Sequence, residues 1–169
     1  MSAPTEYLQP QFTLERINEQ YYKALEAAAR DVNRPGAAKF FHESSQDERQ
    51  HAKRVKRYMI ARGLQPAFES IPTIPAVDGK DYPGMFKMAL KRETMTTQSL
   101  QDNTAAALKA NDWQSVSFYV NSDGKWPGFH AEQTEEEQTL NDFIKELDRC
   151  GKDESAIELF DAQLLKKYR

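Results

Sequence analysis

The stretch from Leu64 to Tyr82 limits the architectures open to this chain more than any other. It carries Pro66, Pro72 and Pro75 and has little apolar periodicity. On either side lie long segments whose apolar residues recur at three- and four-residue steps, the period of an amphipathic helix. Connections between neighbouring helices in compact domains run about 2–8 residues, so a link this long has distance to cover. Twenty extended residues reach up to about 66 Å, and a 28-residue helix is about 42 Å long. The link can therefore cross the whole length of a bundle and start the next helix parallel to the previous one. An all-α, four-helix bundle with one long crossover is the expected fold.

Helices are expected over about 12–32, 35–62, 83–110, 113–120 with 129–149, and 155–167, all within one domain spanning 1–169. Residues 1–10 hold two prolines and read as an extended arm. Leu14, Ile17, Tyr21, Leu25, Ala28 and Ala29 form the stripe of the first helix, which stops at Asn33-Arg34-Pro35-Gly36. Ala37, Phe40, Phe41, Ser44, Glu48, His51, Val55, Tyr58 and Met59 line the second, and Gly63 stops it. The third offers Met85, Phe86, Met88, Ala89, Thr96, Leu100, Thr104 and Leu108. The turn formers Asn121-Ser122-Asp123-Gly124-Lys125-Trp126-Pro127-Gly128 interrupt the fourth. A short last segment places Ile157, Phe160, Leu164 and Leu165 on one stripe.

Composition narrows the function. With 169 residues, the chain can bury a sizeable core. Its net charge of −3, without a basic tail or stripe, argues against a nucleic-acid partner. No apolar run approaches the roughly 20 residues of a membrane span. The first residues lack the charged and apolar regions of a secretion signal. The single cysteine, Cys150, has no internal partner and reads as a structural thiol at a helix end. These features point to a reducing compartment, the cytoplasm.

Chemistry concentrates in Gln46-Asp47-Glu48-Arg49-Gln50-His51. Glu48 and His51, three apart on a helix, project from one face. Inward Glu-x-x-His pairs are how helical bundles build di-metal sites. Glu15 lies about 18 residues before the Asn33–Pro35 turn, and Glu48 and His51 about 14 and 17 after it. At 1.5 Å per residue the three share a level to within roughly a turn. Glu93 lies 18 residues before Asn111, and Glu136, 24 after Asp112, shares its level only if several residues around 122–128 leave the helix. Glu15, Glu48, His51, Glu93 and Glu136 can then converge at mid-bundle. Four buried carboxylates without counter-ions cost several kcal/mol each, a cost two divalent cations would offset. His42 and His130 lack such partners and read as ordinary surface or packed histidines.

On these residues the chain resembles the ferritins, in particular the haem-free bacterial and eukaryotic-like subunits. The resemblance rests on Glu15 with Tyr22, Gly36-Ala37-Ala38-Lys39-Phe40-Phe41, Glu48-x-x-His51, Glu93, Glu132-Gln133-x-x-Glu136 and Leu159-Phe160-Asp161. It implies a ferritin-like four-helix bundle with a long crossover between the second and third helices and a short fifth C-terminal helix. It further implies a ferroxidase centre taking two iron ions per subunit. Glu15, Glu48 and His51 would hold the first, and Glu48 would bridge to a second held by Glu93 and Glu136. Gln133 would place the oxygen species, and Tyr22 would donate to a ligand. Asp47, Glu132 and Glu135 match a third, weaker site of some bacterial members, although Asp47 is shorter than the glutamate usual there. The implied reaction is oxidation of Fe(II) by dioxygen, with ferric mineral deposited inside a homo-oligomeric cage, a hollow 24-subunit shell.

Two departures refine the resemblance. The position next to Glu48 that carries a haem-binding methionine in bacterioferritins is Arg49, so no haem is expected, and their second Glu-x-x-His on the fourth helix is here Gln133-x-x-Glu136. The 121–128 loop has no counterpart in ordinary ferritins. It lies where the fourth helix lines the pores of the family's shell, and either reshapes them or is a tolerated insertion. Two other functions fit the same residues: a di-metal carboxylate oxidase or peroxidase acting on small molecules, and a metal-free helical scaffold.

Overall fold

The computed structural model describes residues 3–168. Six helices follow one another: α1 (Thr5–Asp31), α2 (Pro35–Ala61), α3 (Tyr82–Lys109), α4 (Trp113–Val120), α5 (Phe129–Cys150) and α6 (Glu154–Lys167). Among the described residues there is no strand. The architecture is the expected all-α bundle with a short C-terminal helix. α1 packs along α2 and α3, α5 along α3, and α6 against α2 and α5.

Side-chain pairings set the helix directions. Along α1, Gln11, Asn18 and Tyr22 meet Asn103, Thr96 and Glu93 of α3 in descending order, so the two helices are antiparallel. α1 is also antiparallel to α2 through the tight Val32–Arg34 turn, where Asn33 takes the left-handed conformation (φ 55°). α2 and α3 are therefore parallel, as the long crossover requires. That crossover runs along α1. Gln9 exchanges two 2.9 Å hydrogen bonds with the backbone of Ala67, Arg16 donates to the Glu69 carbonyl, and Phe68 meets Phe12 edge-on at 5.4 Å.

Three expectations need correction. The arm over residues 1–10 is helical from Thr5 onward; Met1 and Ser2 lie outside the described residues. Pro10 sits inside α1 and contributes no N–H, yet the extra turns persist because Tyr7 and Leu8 are fully buried. The Tyr7 hydroxyl also donates to Asp112 at 2.6 Å. Secondly, Leu14, Ile17 and Tyr21 are only half-buried. The core face of α1 is rotated to Gln11, Phe12, Glu15, Asn18, Tyr22 and Leu25, half of it polar. Thirdly, Met88 and Leu108 on α3 are exposed.

The core is two apolar clusters rather than one. The first gathers Tyr22, Leu25, Phe40, Phe41, Met85, Phe86, Leu140, Phe143 and the α6 residues Ile157, Phe160 and Leu164. The second holds Tyr7, Leu8, Phe12, Val55, Met59, Leu100, Tyr119 and Phe129. Buried Glu15, Asn18, Glu48, His51, Glu93, Thr96 and Gln133 fill the level between them.

Each end is tied by an aspartate. At the far end of the bundle Asp112 caps α4 through the Ser115 N–H and takes hydrogen bonds from Tyr7 and Arg62. Burial opposes its ionisation, but the hydrogen bonds from Tyr7, Ser115 and Arg62 prevail and pull its carboxyl down to about 2. At the other end buried Asp161 of α6 accepts from the Gly36 and Ala37 N–H groups, both at 2.9 Å, and from Tyr82 at 2.8 Å. It thus caps α2 from a different helix. Gly36 has to be glycine here, because a Cβ would lie 1.9 Å from the Asp161 carbonyl oxygen.

Asp161→Ala leaves two helix N–H groups and a buried phenol without acceptors. It should destabilise the protein by about 2–4 kcal/mol and speed proteolysis between Cys150 and Asp153. An unchanged melting temperature and cleavage rate would show that α6 docks without this cap.

Candidate metal centre

The polar level takes one or more side chains from each of four helices. α1 supplies Glu15, Asn18 and Tyr22; α2 supplies Glu48 and His51; α3 supplies Glu93; α5 supplies Gln133 and Glu136. Ligand atoms of Glu15, Glu48 and His51 lie within 4.8 Å of one another, and all three residues are buried. The His51 Nδ1 is 3.1 Å from Glu48 Oε2. Glu48 also faces Glu93 and Glu136 across a cavity of about 220 Å³.

Other side chains aim these carboxylates. Gln11, one turn before Glu15, donates to it at 2.7 Å, and Asn103 of α3 holds Gln11 in turn. Asn18, three residues after Glu15, bonds to Thr96 and accepts from Arg92 Nε at 2.6 Å. On the opposite side, the Tyr22 hydroxyl donates to one oxygen of Glu93 and Gln133 to the other, the latter at 2.6 Å. Gln11, Asn18 and Arg92 escaped the sequence reading. A signal existed: the first two lie four before and three after Glu15, on the same helix face.

The electrostatics are those of a site short of positive charge. Burial pushes the Glu48 carboxyl well above the usual range, and Glu15, Glu93 and Glu136 push it further. Burial followed by Glu93 and Glu15 does the same to Glu136. Glu93 is also raised by burial, although Tyr22 and Gln133 partly relieve it. Burial and the neighbouring Glu93 and Glu48 push the Tyr22 phenol far upward, so it stays a hydrogen-bond donor. Hard oxygen donors around one imidazole, in a region starved of cations, suit one or two transition-metal ions.

The remaining predicted residues lie toward the cavity mouth. Exposed Asp47 and Glu135 line the outer end of the cavity together with Glu43 and Tyr168. Glu132 lines it too, but its carboxylate is paired with Arg54. The other two histidines sit away from the cluster, His42 3.2 Å from Glu26 and His130 2.8 Å from Thr104. Cys150 ends α5, half-buried against the first apolar cluster. Loop 121–128 leaves and rejoins the helical path at one point. Gly128 packs so closely on Val120 that a Cβ would lie 2.1 Å from the Val120 carbonyl oxygen. Trp126 is half-buried, its ring 5.6 Å from the Arg54 guanidinium.

Comparison with known proteins shows the family. The profile of the Ferritin-like domain matches residues 5–150. A bacterial non-heme ferritin from Staphylococcus haemolyticus is 31% identical over 155 residues, covering 89% of each chain. A ferritin from Pacifastacus leniusculus is 30% identical over 138 residues, covering 82% of this chain and 73% of its own. Among solved structures, a novel open pore ferritin from the archaeon Archaeoglobus fulgidus superposes with a TM-score of 0.87 at 20% identity, over 96% of this chain and 95% of that one. The chain belongs to the ferritin family and is a non-haem ferritin. Iron handling in general terms follows, and the Glu15, Glu48 and His51 cluster is compatible with it. None of the described helices is long and apolar enough to cross a membrane.

Because the folded carboxyls of Glu48, Glu93 and Glu136 titrate above the unfolded value of about 4.3, their protonation favours the metal-free fold in acid. That contribution fades as pH rises through the folded values. A metal ion that displaces those protons should therefore raise the melting temperature more at about pH 8 than at about pH 5.5, with protons released on binding. Thermal melts with and without Zn(II) at both pH values check this; an equal or larger gain in acid would contradict it.

Proposed function

We propose that the protein is a ferroxidase and iron store. It oxidises Fe(II) with dioxygen at the four-helix polar level and deposits the ferric product within a multi-subunit cage, the 24-subunit shell that the family resemblance implies. The observation that carries this reading is Glu48, a single buried carboxylate facing both Glu15 with His51 and Glu93 with Glu136. One carboxylate between two ligand sets is what a bridged pair of iron ions requires.

In this reading the first Fe(II) substrate binds Glu15, Glu48 and His51, and the second binds Glu48, Glu93 and Glu136. Each Fe(II) loses one electron and dioxygen gains two. The protein supplies negative charge that favours the more highly charged product, and it holds the ligands in place before the metal arrives. Gln11 and Asn18 position Glu15; Tyr22 and Gln133 position Glu93. Gln133 is also close enough to the Glu93 side of the cavity to orient an oxygen species there. The cavity runs from Tyr22, Glu48 and Glu93 to Asp47 and Glu135, which supports an acidic path for iron between the pair and the surface. The resemblance groups Glu132 with Asp47 and Glu135 in a third iron site. Its ion pair with Arg54 leaves Asp47 and Glu135 as the carboxylates available for iron in transit.

The test is size-exclusion chromatography with in-line mass and iron detection after Fe(II) is added in air. Iron far above two per chain, co-eluting with a particle of several hundred kilodaltons, is the expected result. Two or fewer per chain on a small oligomer would favour a di-metal oxidase acting on small molecules, and no bound iron would leave a helical scaffold. Glu48→Ala, which removes the shared ligand, should slow Fe(II) oxidation by about ten- to a hundredfold, read by stopped-flow absorbance. An unchanged rate would displace Glu48 from the centre.

A further inference from the structure

The 121–128 loop has no counterpart in the resemblance, which assigns Glu132 to iron. The contacts around Arg54 point elsewhere. Arg54 lies one turn after His51 on α2, and its side chain is only 10% exposed. Its Nη1 pairs with Glu132, and its Nη2 donates to the Pro127 carbonyl at 2.9 Å. The guanidinium carbon also lies 4.2 Å from the centre of the Phe129 ring and 5.6 Å from that of Trp126. The end of the loop and the first residue of α5 thus cradle one arginine.

Glu132, so held, faces His51. Its Oε2 is 3.8 Å from His51 Nε2, while the other ring nitrogen, Nδ1, is 3.1 Å from Glu48. Phe129 borders the same imidazole, ring centre to ring centre 5.6 Å. The two nitrogens therefore meet different carboxylates, Nδ1 that of Glu48 inside the cluster and Nε2 that of Glu132 outside it. An imidazole ligates through one nitrogen when the other keeps its proton, and a carboxylate beside that second nitrogen selects the tautomer and the ring orientation.

We propose that Arg54 and Glu132 are the positioning pair of His51, anchored by the 127–129 segment, and that they reserve His51 Nδ1 for the first metal ion. Arg54 acts through Glu132, and Glu132 through the imidazole. The interruption of the fourth helix is then a structural part of the centre, because it supplies the Pro127 carbonyl and the Trp126 ring that, with Phe129 opening α5, seat Arg54. This rests on the proposed function only in placing a metal ion on His51.

Opposing signs make the pair testable. Removing a cation near a metal site should tighten metal binding on charge alone, whereas losing the clamp on Glu132 should weaken it. Full-length protein is titrated with Co(II), followed by its visible absorption, for wild type, Arg54→Met, Arg54→Lys, Glu132→Gln and the Arg54→Met/Glu132→Gln double variant. Glu43→Gln serves as a charge control: that residue lines the same cavity and pairs with Lys39. Glu132→Gln should weaken Co(II) at the His51 site by about ten- to a hundredfold, well beyond the effect of Glu43→Gln. Arg54→Met should also weaken binding, Arg54→Lys should recover most of the loss, and the double variant should be no worse than Glu132→Gln alone. Tighter or unchanged binding in Arg54→Met overturns the proposal, as does an equal effect of Glu132→Gln and Glu43→Gln. If wild type and Glu48→Ala bind Co(II) alike, the metal assignment itself fails, and the positioning role with it.

Discussion

Four carboxylates crowded into one buried level set the terms for the rest of this molecule. Glu15, Glu48, Glu93 and Glu136 come from four helices, and among the described residues His51 is the one group hydrogen-bonded to them that can carry a positive charge. Such a layer opposes folding unless its members are hydrogen-bonded, protonated or neutralised by metal. Glu15, Glu48 and Glu93 are answered with hydrogen bonds, and among the described residues no buried side-chain nitrogen or oxygen lacks a partner. The proton-holding tendency of Glu48, Glu93 and Glu136 is the remaining strain, and it is what a cation would relieve.

That layer also explains why the core is split. A polar slab cannot be stabilised by apolar burial within itself, so the burial is done above and below it. The aromatic cluster of Phe40, Phe41, Phe86, Phe143 and Phe160 lies on one side, with rings 5.1–5.9 Å apart. Tyr7, Phe12, Tyr119 and Phe129 lie on the other. The aspartate ties sit at the outer ends of these clusters: Asp112 joins α1, α2 and α4, and Asp161 joins α2, α3 and α6. Helix positions are therefore held at both ends, and the carboxylates between them keep their spacing without packing against each other.

Legibility in the sequence followed the range of the interaction. Glu48 and His51 could be placed on one face because three residues is nearly one helical turn, and the level of Glu15 follows from a short turn at Asn33. Helix positions blurred where distant contacts intervened. Residues 5–10 read as an arm because two prolines dominate the local pattern, but Tyr7 reaches Asp112 more than a hundred residues away. Hydrophobicity alone marks Leu14, Ile17 and Tyr21 as the inner face of α1. The true inner face carries Gln11, Glu15 and Asn18, since the core at that level is polar.

By itself, then, the sequence determined the helices, the parallel crossover they demand, the break at 121–128 and a family resemblance carried by Glu48-x-x-His51 and its companions. These rest on local periodicity, turn chemistry and chain length, which need no knowledge of neighbours. Only the tertiary structure decided which oxygen meets which donor: Tyr22 and Gln133 on Glu93, Gln11 on Glu15, and Arg54 on Glu132 rather than on solvent. An arginine in an amphipathic helix carries no local mark of its partner. Its choice is made by the electrostatics and space that four helices and a loop create when they close around it.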